Sequence, residues 1–543
     1  MQEAQRKLPG YEGPLGEDEP DLEVPRLAKQ LYFEERRALL LALLELVKGR
    51  MDDSYRRCQD TRQRQEGQRR QAGIVAFTDE LLTVHDVASK LAKLVTRANR
   101  VLTTDAELNK YGPDGRVYFI DERQHLALTL FYIYYQGYRE PKTVRELMTV
   151  FKETAKLARS DDADDPTFQV AVLLALALVA ALDPTSRDME TGGPSMASPS
   201  QRTNSLLADE AFGKNMRELL GTASSWEAHT KGLRALVLLA FSLFVTDAKW
   251  ADHAAQFSAA VADNVFEFAR TRILASKLFL EASRDTPFFV SKLDELMMCF
   301  LKSKPSQVTQ LKQEDEQATR REMTTGGQGG ETRHDFEQLL FFLTALYSKW
   351  PGALRFWTDR PDVLTSASMN VTIRLHVAYL DFLAALANTP EAAEQAYYFL
   401  DSPPNASVGW AHFFEVIKNY EAELRRDDAR SHSALAPRVA RELHHDDVMG
   451  LCAILRLMET VLTHYAEARM AMESSRHWAG LQSLFGLLAC QVPAVLKAHL
   501  LRVIAAFARS PELCARVWQL VEQAGLLPIP RDGNPNAFMA ALE

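Results

Sequence analysis

The side chains best equipped for chemistry lie in the charged stretch from Arg425 to Asp447, where His432, His444 and His445 stand near Asp446 and Asp447. Imidazole and carboxylate are zinc-ligand types, but no cysteine lies nearby and no His-x-x-x-His pair shares a helix face, so a surface loop explains them as well. The glycine cluster Thr324-Thr-Gly-Gly-Gln-Gly-Gly330 would cradle a phosphate only with a strand before it and Gly-Lys-Ser/Thr after it. Both are missing, and a flexible loop is the reading. The acidic run Asp161-Asp-Ala-Asp-Asp165 lacks the glycine at position six and the glutamate at position twelve of a calcium loop. It reads as a solvated turn whose Asp165-Pro166 opens a helix. Arg56, Arg57, Arg62, Arg64, Arg69 and Arg70 form one basic stretch able to touch acidic partners or act as an import signal. Diluted by Gln and Glu, it reads as a solvated helix face. No Gly-x-Ser-x-Gly elbow or other nucleophile-base signature appears. The expectation is therefore a non-enzymatic chain with no catalytic residues, no metal site and no cofactor.

Whatever these residues do, helices must position them. At 543 residues the chain exceeds the roughly 250 to 300 at which a single core stops growing, so it must divide or extend by stacking. Apolar residues make up 47% and charged residues 25%, a globular balance. A net charge of -9 argues against nucleic acid as the main partner, because phosphate binding calls for a cationic surface. The five cysteines, Cys58, Cys299, Cys452, Cys490 and Cys514, are scattered and read as reduced core thiols of a cytosolic or nuclear protein. The N-terminus has no apolar stretch of the secretory kind. The run from Val170 to Leu182 is shorter than the ~20 residues of a membrane span, so no transmembrane segment is expected and that run reads as a buried helix.

Apolar residues recur at spacings of three and four. Leu339, Phe342, Leu343, Leu346 and Tyr347 form one stripe, and Leu496, Leu500, Val503, Ile504 and Phe507 another. Thr286-Pro287, Thr389-Pro390 and Ser510-Pro511 mark helix starts by a capping hydroxyl before a proline. Gly137, Gly221 and Gly525 mark stops. Roughly twenty helical segments result, and only Arg116-Val-Tyr-Phe-Ile120 looks strand-like. The expected fold is all-α, an irregular α-solenoid of stacked antiparallel helix pairs, HEAT/ARM-like but without a fixed repeat. The expected divisions are a disordered acidic tail over 1–24 and a first solenoid segment over 25–182. A flexible loop over 183–204 leads to a middle segment over 205–322, and a Gly-rich loop over 323–333 to a last segment over 334–527. A tail over 528–543 ends the chain.

Beside this local reading stands an ordered set of motifs: Ala262-Asp-Asn-Val-Phe266, Asp335-Phe-Glu337, Leu346-Tyr347, Phe356-Trp357, Trp410-Ala-His-Phe-Phe414, Val492-Pro-Ala-Val-Leu-Lys-Ala498, Ala505-Ala-Phe-Ala-Arg-Ser-Pro-Glu512 and Val517-Trp518. In order and spacing they resemble the large inner-ring scaffold nucleoporins of the nuclear pore complex, the nucleoporin 205 / fungal nucleoporin 192 family. The likeness is strongest from about 262 to 520. Upstream, Phe77-Thr-Asp-Glu-Leu81 and Gly232-Leu-Arg-Ala-Leu236 are reminiscent of it, while Tyr32-Phe-Glu-Glu-Arg36 would also fit the related nucleoporin 188.

The resemblance implies an α-solenoid scaffold at the nuclear envelope that binds short segments of linker nucleoporins and supports nucleocytoplasmic transport. Family members are longer, so it also implies an N-terminal portion or a shortened product. A groove for the 35/53-type linker falls within it, and the region engaging the 93-type linker falls beyond it. A transport receptor or vesicle-coat solenoid shares the fold class but not the motif order. A groove between helices would take an amphipathic peptide through aromatic anchors. Trp410 and Phe413 are the candidates, with core packing as the competing reading.

Overall fold

The computed structural model describes residues 20–524 except 52–60, 112–113, 139, 161, 163, 184–208, 247–252, 282, 326–332, 349–352, 360–371, 403–407 and 432–442. Among them the chain forms twenty helices of nine residues or more, and no strand. They fall into two compact units, 1–263 and 264–543.

The first unit contains α1 (Pro20–Gly49), α2 (Thr61–Thr83), α3 (Val87–Thr103), α4 (Gly115–Tyr135), α5 (Pro141–Leu157), α6 (Pro166–Ala181), α7 (Glu210–Leu220), α8 (Lys231–Phe244) and α9 (His253–Ala262). From α3 onward they sort into two layers. One holds α3, α5 and α7, the other α4, α6 and α8, with each helix against the next of its own layer; α3 and α5 also cross to α4 and α6. This is the packing of a solenoid, in which each element meets only near neighbours. The sequence of α6 explains its place at the centre. Asp165 accepts a hydrogen bond from the Thr167 amide at 2.9 Å and Pro166 fills the first turn, so the helix starts as read. Every residue from Phe168 to Ala181 is buried, as a helix apolar all round requires.

The second unit contains α10 (Thr286–Ser303), α11 (Pro305–Thr325), α12 (Asp335–Tyr347), α13 (Ile373–Leu386), α14 (Pro390–Asp401), α15 (Trp410–Ser431), α16 (His445–His464), α17 (Ala466–Ser474), α18 (Gly480–Leu488), α19 (Ala494–Phe507) and α20 (Pro511–Gln523). Helices α12, α13, α16 and α19 form a consecutive row, and α15 packs on α18 beside it. Both stripes read from the sequence, on α12 and α19, are buried.

Polar fasteners set the register between these helices. Arg456 of α16 grips Asp381 of α13 through two hydrogen bonds of 2.8 and 2.9 Å. Tyr347 of α12 donates to Asp294 of α10 at 2.6 Å, and both are buried. The Glu337 amide donates to Asp315 at 2.9 Å while the Glu337 carboxylate holds Arg374 at 2.6 Å.

Several expectations change. Residues 116–120 are helical, inside α4. Their β-branched and aromatic residues suit a strand, but no partner strand is present among the described residues, and Phe119, Leu126, Ala127 and Leu130 continue a buried helical stripe. Helix α1 begins at Pro20, inside the stretch assigned to the acidic tail. Helix α11 runs to Thr325 and takes the first residues assigned to the Gly-rich loop. The His-rich stretch is helical at both ends, in α15 to Ser431 and in α16 from His445.

The caps and stops divide as well. Thr389 caps α14 by accepting from the Ala392 amide. The Ser510 hydroxyl instead accepts from Arg469 at 2.7 Å, and Thr286 bonds backbone carbonyls of the preceding turn. Gly137 and Gly221 adopt φ of 85° and 55°, the conformations for which a stop needs glycine. Gly525 lies outside the described residues. Cys299, Cys452 and Cys490 are buried thiols, Cys514 is exposed, and Cys58 lies outside the described residues.

Candidate peptide-binding surface

Trp410 opens α15, and its ring is wholly buried, as is that of Phe413. The indole N–H donates to the Tyr397 carbonyl at 3.0 Å. The Trp410 ring stacks on Tyr397 with centroids 6.0 Å apart and meets Phe413 edge-on at 5.9 Å. The pair therefore seals α15 against α14 and offers no ring surface to a peptide, a correction to the anchor role. A ring this large is stabilised by burying its whole area once its one donor has a partner. The Pro403-Pro404 loop before this helix lies outside the described residues.

Above this buried pair the aromatic cluster reaches the surface. Tyr397 meets Tyr465, at the start of α17, with centroids 5.7 Å apart. Tyr398 is 52% exposed, and its hydroxyl lies 3.4 Å from that of half-buried Tyr465, which in turn donates to Glu467 at 2.8 Å. The Tyr465 phenol is pushed up, first by burial and then by its bonds to Tyr398 and Glu467, so it stays a neutral donor at physiological pH. An exposed phenol on a rigid aromatic base is the kind of anchor that binds apolar and polar peptide groups with few rotors to freeze. Helical spacing alone did not single out Tyr398, because adjacent Tyr397 and Tyr398 point to different sides of α14. The adjacency of two tyrosines near a buried tryptophan was the available signal.

The other residues singled out from the sequence belong to other elements. Arg62, Arg64, Arg69 and Arg70 lie exposed along α2, with Arg70 paired to Glu66 at 2.6 Å; Arg56 and Arg57 lie outside the described residues. His444 caps α16 through the Asp446 amide, a structural use of one histidine in the metal-like set, and His432 lies outside the described residues. Among the described residues no three metal-ligating side chains gather in one place. No helix among them is long and apolar enough to cross a membrane.

With this geometry in view, the family whose model covers residues 4–531 is the nuclear pore complex scaffold, nucleoporins 186/192/205. The human nuclear pore complex protein Nup205 is 26% identical over 388 residues, covering 60% of this chain and 19% of its own length. The Drosophila melanogaster protein of that name is 23% identical over 509 residues, covering 84% of the chain and 23% of its own length. The Arabidopsis thaliana protein NUP205 is 22% identical over 552 residues, covering 95% and 28% respectively. The chain thus spans less than a third of the length of each of these relatives. Matched along nearly its whole length and built of stacked helices, the chain belongs to the nuclear pore complex scaffold family of nucleoporins 186, 192 and 205.

Proposed function

We propose that this chain is a structural scaffold of the inner ring of the nuclear pore complex, located at the nuclear envelope, which supports nucleocytoplasmic transport by holding other nucleoporins. The observation that carries this reading is the family match over residues 4–531. The polar fasteners agree with it: Asp381, Glu337 and Asp294 are each engaged in tying helices together and not gathered into a reactive cleft.

Its partners in this reading are linker nucleoporins of the 35/53 and 93 types, bound as extended or helical segments against the helix surface. Tyr398 and Tyr465 are the anchors proposed for the 35/53-type segment, in place of Trp410 and Phe413. The chemistry is association alone, through apolar contact and the phenolic hydroxyls.

The test is a fluorescent fusion of the chain together with capture of a synthetic 35/53-type linker peptide. A nuclear-rim signal and retained peptide are expected, with co-purification of other nucleoporins from nuclear envelopes. A diffuse fusion that captures no linker peptide would end this reading.

A further inference from the structure

A cavity of about 310 Å³ opens in the first unit, lined by Leu102, Ile120, Leu157 and three arginines, Arg116, Arg123 and Arg159. Asp165 is the only carboxylate among the described lining residues. Arg116 and Arg159 are exposed at the rim, whereas Arg123 is 2% exposed. Buried guanidinium groups are costly unless their charge and all their N–H donors are met. Here Asn99 accepts from Nη1 at 3.0 Å and Thr167 accepts from Nη2 at 2.8 Å. The Nε–H donor is buried and has no acceptor. Both acceptors are neutral, and Asp165, the carboxylate among the described lining residues, already accepts from the Thr167 amide.

Burial accordingly pulls the Arg123 guanidinium down to about 10, with only Asp165 opposing the shift. The group stays charged at physiological pH while poorly compensated. The position does not follow from packing alone, since an apolar side chain would fill it without an orphaned donor.

We propose that this cavity is a phosphate-recognition site for a phosphorylated serine or threonine on a peptide of another protein. Among the described lining residues, three guanidiniums against one carboxylate leave a surplus of two positive charges, which matches the roughly -1.5 to -2 of a phosphate monoester better than a single carboxylate. Arginine presents planar donor pairs suited to phosphate oxygens. Leu102, Ile120 and Leu157 supply apolar wall for the residues that flank the modified side chain. Such a site would make binding at this cavity conditional on a kinase.

The experiment uses the full chain and three matched oriented peptide libraries, with flanks randomised around a fixed phosphoserine, glutamate or serine. Selective, saturable capture of the phosphoserine library is expected, and the double variant R116Q/R159Q should weaken it at least tenfold. Both arginines are exposed, so that variant is expected to fold, which a circular dichroism melt checks. R123M, followed by the same melt, tests the buried partner. Equal capture of the glutamate and phosphoserine libraries would overturn the phosphate assignment in favour of acidic peptides. Inorganic phosphate competing as tightly as the best peptide would overturn the peptide assignment. Capture unchanged by R116Q/R159Q in a folded variant would remove the cavity as the site.

Discussion

Trp410 and Tyr397 are joined twice, by the indole N–H bonded to the Tyr397 carbonyl at 3.0 Å and by ring stacking at 6.0 Å. Two contacts of different kind on one residue pair fix both the rotation and the separation of α14 and α15.

Trp410→Ala should therefore destabilise the second unit by about 3–5 kcal/mol, the range for emptying a large aromatic site. Trp410→Phe keeps a ring but gives up the indole hydrogen bond to the Tyr397 carbonyl, for a loss of about 1 kcal/mol. Tyr398→Ala, at an exposed position, should change the unfolding free energy by less than about 0.5 kcal/mol and yet reduce capture of the linker peptide. Equal stability losses for Trp410→Ala and Tyr398→Ala would contradict this division between core and surface.

Asp381 and Arg456 form a two-pronged pair across α13 and α16, both mostly shielded from solvent. Burial raises the Asp381 carboxyl, and Arg456 opposes the rise by charge and hydrogen bonding. Arg456→Met should cost about 2–3 kcal/mol because it strands a shielded carboxylate. Asp381→Asn combined with Arg456→Met should cost less than the two single changes added, and a double-mutant cycle by urea unfolding measures the difference.

Buried Asp315 and half-buried His376 give opposite pH dependences. Burial pushes the Asp315 carboxyl up to about 6 despite backbone donors from Glu337 and Phe336. The folded state then binds its proton more tightly than the unfolded state, so this stabilisation is present below about pH 4 and is lost as pH rises through about 6. Burial, helped by the charge of His412, pulls His376 down to about 4. Its contribution is present above about pH 6.5 and is lost as pH falls towards 4. Asp315→Asn should remove the first slope and His376→Gln the second, each read from unfolding midpoints between pH 4 and 7. A slope that survives its own substitution would count against the assignment.

Gly221 ends α7 at φ 55°, where an added Cβ would sit 2.9 Å from the Ser225 hydroxyl. Gly221→Ala should cost about 1–2 kcal/mol from backbone strain and crowding. Gly73, inside α2 with nothing near its missing Cβ, is the control. Gly73→Ala should be neutral or stabilising by up to about 1 kcal/mol. Thermal melts of the two variants should move in opposite directions.

Much of the framework was legible because it is local. The Asp165-Pro166 start, the Gly221 stop and the stripe on α12 depend on residues within a few positions of one another, and each forms as its chemistry directs. The strand-like 116–120 stretch was misread because β-propensity is a weak preference, which the buried face of α4 overrides.

What the sequence by itself determined is the set of helices, their apolar faces, the absence of catalytic motifs and, through the order of its motifs, the scaffold nucleoporin family. Only the tertiary structure decided which aromatic residues face inward. Helical periodicity gives a side chain's angle around its own axis, but burial depends on what the neighbouring helices cover. For that reason Trp410 and Phe413 proved to be core, and Tyr398 came to the surface. The Arg123 cavity, drawn from α3, α4, α5 and α6, could not be read along the chain because its parts are distant in sequence and meet only when the layers stack.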